Sequence, residues 1–173
     1  MRQRLRSADG FGLIELLIAM TVLSLGILAL VAAFSSGTAA LMRASQIGTA
    51  STLADKQMEL YRGVPYDWIV LDTTAVATAS TDAVYTGDQA LSGGLSNHTA
   101  ACPAGAPSEA CAPIQNVTGP DNRSYRVDTY VVLDDPTDSG AARDVRVVTV
   151  VVREGGTNRT LVRQVSTFDE LTG

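Results

Sequence analysis

Hydrophobic and polar positions divide the chain into four stretches. Residues 1–10 are polar and basic, with Arg2, Arg4 and Arg6 set against Asp9. Positions 11–34 then hold almost only Leu, Ile, Val, Ala, Met, Phe and small residues. That run covers the ~20 apolar residues a helix needs to cross a bilayer. Beyond Phe34 the pattern turns periodic. Leu41, Ile47, Leu53, Met58 and Leu60–Tyr61, with Ala44, Ala50 and Ala54 between them, keep a helical stripe, and Arg43, Asp55, Lys56, Glu59 and Arg62 fall mainly outside it. Gly63 and Pro65 supply a stop. The spacing predicts one helix over 11–62, membrane-spanning to about residue 34 and amphipathic from there on.

The next stretch, 63–122, is rich in Ala, Thr, Ser, Gly and Pro and reads as a long irregular insertion. Tyr66, Trp68, Ile69, Val70 and Leu71 are expected to pack one end of it against the helix, and TTAVATASTDAVYTG (73–87) is expected to hold a strand or hairpin. From Arg123 the period changes to two. Tyr125, Val127, Thr129, Val131 and Leu133 alternate against Arg126, Asp128 and Tyr130. The turn DDPTDSG (134–140) leads into RDVRVVTVVVRE, and EGGTN (154–158) leads into RTLVRQVSTF. Three consecutive strands over 123–173 make an antiparallel β-meander with one face to be covered. The amphipathic half of the helix is the large apolar partner available. The fold class expected is α+β.

Composition changes this picture little. At 173 residues the length suits one domain with an appendage. A net charge of −5 argues against general nucleic-acid binding. The two cysteines, Cys102 and Cys111, bracket PAGAPSEA, and an even count in an exported region favours a disulfide. A metal site built from them and His98 lacks CxxC or HxxxH spacing, and His98 reads as an exposed loop residue. Asp134, Asp135 and Asp138 lack the alternating ligands and terminal Glu of an EF-hand and read as a solvated turn. No nucleophile–base order, metal cluster or phosphate-binding loop is legible, so no enzyme activity, cofactor or metal is expected.

The N-terminus carries the specific signal. Glu15 is the lone charge between Gly10 and Met42. On insertion scales, a charged side chain at the centre of a membrane helix costs roughly 2.5–3.5 kcal/mol. A secretory signal has a shorter apolar region and a small-residue cleavage site after it. A plain signal anchor explains Arg2, Arg4 and Arg6 on the cytoplasmic side, but neither Glu15 nor Gly10 at the polar–apolar boundary. GFGLIELLIAM (10–20) resembles the type IV prepilin leader, in which a short basic peptide ends in Gly and is cut on the cytoplasmic side. The resemblance implies that Gly10 ends the leader, that Phe11 becomes the N-methylated first residue, and that Glu15 is the acid at the fifth mature position. Gly12 departs from the usual Ser or Thr, in a permissive slot. Cleavage would place a cationic amine on Phe11 one turn from Glu15, able to neutralise that acid in its own or a neighbouring helix.

Ala32 stands where major pilins often carry a kinking Pro. With LSLGILAL (23–30) and ADKQMELYRGVPYD (54–67), it makes the chain look more like a minor pilin of the PilV type. The resemblance implies a minor pilin or pseudopilin held in the cytoplasmic membrane with its N-terminus in the cytoplasm. Its partners would be prepilin peptidase, other pilin subunits through helix 11–62, and a pilus or secretion assembly platform. Two alternatives stay open: a type II secretion pseudopilin, and a membrane-anchored extracytoplasmic binding module that never polymerises.

Overall fold

The computed structural model describes residues 12–134 and 145–170. The chain forms two compact units, residues 1–44 and 45–173. Helix α1, Leu13–Gly63, runs through both and ends where Gly63 and Pro65 stop it. Its described residues up to Ala44 are all exposed.

The second unit is built on a four-stranded antiparallel sheet in sequence order: β3 (Ile114–Thr118), β4 (Ser124–Asp134), β5 (Val145–Glu154) and β6 (Thr160–Asp169). The fold is α+β, as the alternation predicts, with one strand more than the three expected. IQNVT escapes a period-two reading because its alternate sets, Ile114–Asn116–Thr118 and Gln115–Val117, both mix polar with apolar. The register Tyr125↔Glu154 to Asp134↔Val145 runs unbroken between β4 and β5. A bulge at Val152/Arg153 interrupts β5–β6.

One face of the sheet packs on α1. Ala50, Ala54, Met58 and Tyr61 meet Tyr125, Val127, Val131, Val148, Val150 and Val152. Each large side chain fully buried in this way contributes roughly 1.5–3 kcal/mol. Those four helix residues belong to the stripe expected, and the rest of it differs. Leu41 and Ile47 are 72% and 49% exposed, whereas Gln46 and Gln57 are buried. Small Ala positions let the helix backbone approach the valine-rich sheet, and the glutamines are held by polar partners: Gln46 Nε2 donates to Glu154 Oε1 (2.9 Å) and Gln57 Nε2 to the Glu109 carbonyl (2.8 Å). Gly119 leaves no room for a side chain, since a Cβ there would lie 2.7 Å from the Tyr125 ring and 2.9 Å from Thr49 Cγ2.

The other face of the sheet is covered too, and the insertion does the covering. Residues 73–87, expected as strand or hairpin, form helices α2 (Thr73–Ala79) and α3 (Ala83–Thr86). The reason is capping. Asp72 accepts from the Ala75 N–H, and Asp82 from those of Val84 and Tyr85. Such carboxylates satisfy the free amides of a first turn and override the β-branched composition. A further 3₁₀ segment, Gln89–Gly94, follows. Tyr85 stacks on Tyr130 with ring centroids 4.5 Å apart, and its hydroxyl donates to the Thr129 carbonyl at 2.8 Å. A two-residue parallel bridge joins β1 (Leu71–Asp72) to β2 (Thr99–Ala100). His98 is half-buried rather than exposed: its N–H donates to the Val131 carbonyl, and its own carbonyl accepts from Leu71. Helix α4, Ser108–Cys111, closes the region.

Candidate functional site

The amino-terminal part of α1 is apolar around its whole circumference. Leu13 is 80% exposed and Phe34 68%, and no residue from Gly12 to Ala44 is buried. The helix is long and apolar enough to cross a membrane. So large an apolar surface demands hydrocarbon or other helices around it. Its hydroxyls are compatible with that setting. Thr21 Oγ1 donates to the Ile18 carbonyl and Ser24 Oγ to that of Met20, each at 2.8 Å, and Thr38 Oγ1 donates to Ser35 at 3.0 Å. Each satisfies itself on its own helix, as an apolar solvent requires.

Glu15 interrupts this surface. It lies in the first turn of α1, where its N–H donates to the Gly12 carbonyl at 3.0 Å, and its side chain is exposed. The start of a helix favours an acid through the aligned peptide dipoles. That term, typically 0.3–1 kcal/mol, falls short of the insertion cost of a charged side chain. A cation from outside the described residues is the natural complement. Gly10 and Phe11, expected as the cleavage and methylation positions, lie outside the described residues, as do Arg2, Arg4 and Arg6.

Cys102 and Cys111 are bonded to each other, with Cα atoms 5.8 Å apart. The end of the bridged loop is anchored in the core. Ala110 and Cys111 are buried. The Ala110 carbonyl accepts from Tyr61 Oη at 2.6 Å, and the Glu109 carbonyl accepts from Gln57 and Gln115. The staple thus ties the insertion to α1 and β3. Asp134 ends β4, while Asp135 and Asp138 lie outside the described residues.

A second polar constellation has no counterpart in the sequence reading. On the insertion-covered face of the sheet, Asp128 is fully buried and accepts from Arg126 Nε and Arg153 Nε, each at 2.7 Å. Arg126 also reaches Asp82 at 2.7 Å, and Asp88 receives both Arg153 and Arg163. Three acids and three arginines balance in charge. The Arg126 hydrogen bond holds the Asp82 carboxyl below its usual range. Burial pushes Asp88 up, but its arginines outweigh that and leave it lowered. A balanced network of this kind joins the layers rather than presenting charge to a ligand. The available signal was Arg126 and Asp128 alternating on β4, with Arg153 on β5 and Arg163 on β6, which also fits a solvated surface.

On the opposite face Arg146 turns inward. It donates to the Tyr66 and Ile69 carbonyls and stands 4.2 Å over the Tyr66 ring.

Residues 5–31 match the prokaryotic N-terminal methylation motif. Neither a curated protein nor a solved structure matches the chain. The match takes in the end of the basic leader from Leu5, the glycine boundary, Glu15 and most of the apolar run. The chain thus carries the methylation motif of type IV prepilins at the start of its long apolar helix, and it has an α+β, pilin-like fold.

Proposed function

We propose that the protein is a minor pilin or pseudopilin, a structural subunit of a type IV pilus-like filament with no catalytic role. A prepilin peptidase removes residues 1–10, Phe11 becomes the methylated amino terminus, and the chain waits in the cytoplasmic membrane with its start on the cytoplasmic side. The observation that carries this reading is the lone Glu15 on an exposed apolar helix surface, within a matched methylation motif. After cleavage the Phe11 amine supplies the missing cation. In a filament, the amine of one subunit pairs with Glu15 of a neighbour and draws the incoming helix into register.

Intact mass and amino-terminal sequencing of protein extracted from membranes test the reading. A mature chain beginning at a methylated Phe11 is expected. A chain that keeps residues 1–10 in a host with working prepilin peptidase contradicts it. Presence in sheared filaments distinguishes a polymerising subunit from an anchored binding module. Dependence on a secretion apparatus rather than a pilus distinguishes the pseudopilin form.

A further inference from the structure

Both edges of the four-stranded sheet carry unpaired backbone, and the ladder fixes which residues face outward. The Thr129 N–H donates to the Pro113 carbonyl at 2.8 Å, and the Val131 carbonyl accepts from His98 at 2.6 Å. Odd residues of β4 therefore aim their peptide groups toward the β3 side, and even residues toward β5. Carried through Asp128↔Val151 and Val148↔Ser166, this turns the N–H and C=O of Arg163, Val165 and Thr167 outward from β6. Through Gln115↔Val127 and Val117↔Tyr125, it turns those of Ile114, Asn116 and Thr118 outward from β3. None of these six backbones has a hydrogen-bond partner among the described residues. Val165 is 59% exposed beside its open edge. Open edges of this kind are templates for pairing.

The two edges match each other. Because each strand is antiparallel to the next, β3 and β6 are mutually antiparallel. A second copy in the same orientation therefore sets its β3 antiparallel beside β6 and continues the sheet. One register aligns like with like: Val165 with Ile114, Gln164 with Gln115, Arg163 with Asn116, and Val162 with Val117. Sliding by two residues would set Ile114 against Thr167 or Arg163 and lose the match. We infer that the β6 edge of one subunit receives the β3 edge of a second copy of this chain in that register, forming a head-to-tail, open-ended sheet.

Orientation favours this arrangement over a two-fold β6–β6 pair. Head-to-tail copies keep residues 45–63 of α1 parallel and on one sheet face, whereas antiparallel self-pairing would turn them in opposite directions. Chains anchored in one membrane need the parallel case. The overlap is short, because β3 has five residues. The contact therefore depends on the high effective concentration within a membrane or filament. To that extent it rests on the proposed function above.

The test is disulfide trapping of the full chain in native membranes. Both native cysteines are consumed by the Cys102–Cys111 bond, so introduced thiols report cleanly. Opposed residues of a hydrogen-bonded pair lie about 5.5 Å apart at Cα, inside the disulfide range of roughly 4.4–6.8 Å. Ile114→Cys with Val165→Cys in one chain is expected to give a ladder of dimer and higher rungs on mild oxidation. Either single variant is expected to give none. Adding Asn116→Pro, which removes an outward N–H while sparing the β3–β4 ladder, should erase the rungs. Slowed hydrogen exchange at the Asn116 and Val165 amides of the unmodified chain in membranes, lost on dilution into detergent, is the parallel expectation should the cysteine variants fold poorly.

The inference is overturned by a folded double variant that gives no ladder, by single variants that cross-link as strongly, by rungs that survive Asn116→Pro, or by fast exchange at both amides in membranes. If the chain meanwhile still enters sheared filaments, this inference alone fails. If the wild type enters none, the filament reading fails instead.

Discussion

Asp128→Ala is the perturbation that most directly tests how the second unit holds together. The carboxylate is fully buried, and each of its oxygens accepts one guanidinium hydrogen bond of 2.7 Å. Removing it leaves Arg126 with Asp82, and Arg153 with Asp88 and Thr160 Oγ1, but both Nε–H groups lose their acceptor in a dry layer. The layer also changes from three acids facing three arginines to a net positive charge. Breaking a buried ion pair from one side costs roughly 3–5 kcal/mol. That is a large fraction of a stability of about 5–15 kcal/mol. Asp128→Asn should recover little, because an amide has one acceptor oxygen for two donors. The exposed Glu59–Arg62 pair, with side chains 66% and 57% accessible, gives the control. Glu59→Ala should cost no more than about 1 kcal/mol. Denaturant titration of the full chain in detergent, followed through the single tryptophan, Trp68, measures all three variants. A loss under about 1 kcal/mol for Asp128→Ala would refute the argument, because it would mean that water reaches the network.

Two further outcomes follow from the same layer and its staple. Replacing Cys102 and Cys111 with Ser should lower stability by ~2–3 kcal/mol, the loop-entropy value for so short a ring, without preventing membrane insertion; denaturant midpoints and membrane fractionation check both halves. Asp82 and Asp88 have folded values below the ordinary 3.8. Their stabilisation is therefore complete above that value and lost as pH falls through the lower folded values, so acid unfolding should begin only below it. A stability already falling as the medium is first acidified from neutrality would contradict those assignments.

The legible parts of the fold were those where one physical preference dominates. The alternation in β4 showed because its two faces meet different partners, apolar toward α1 and charged or aromatic toward the insertion; β5 showed as a run of valines between turns, and Gly63 with Pro65 ended α1 as expected. The helices at 73–86 were hidden because their Thr and Val content favours strands, while the deciding interaction is a single aspartate ahead of each. Ala50, Ala54, Met58 and Tyr61 of the α1 stripe lie where expected; Gln46 and Gln57 were missed because a buried glutamine is legible only through the partners that pair with it. The Arg–Asp network was invisible because charge on a strand normally signals solvent; only the covering insertion turns it inward. At the other end of the chain, Glu15 stands out in the sequence because it is the lone charge between Gly10 and Met42.

That acid carries the central claim. Were Glu15 merely tolerated, Glu15→Val would remove an insertion cost of a few kcal/mol and leave every later step intact. If its partner is the Phe11 amine, the same change leaves a buried cation unpaired between subunits, at roughly 3–5 kcal/mol. The direct measurement is the amount of Glu15→Val and wild-type protein in sheared filaments, after amino-terminal sequencing has shown both to be cleaved. The account expects normal membrane insertion and processing with filament incorporation strongly reduced. Equal incorporation of the two forms would contradict it.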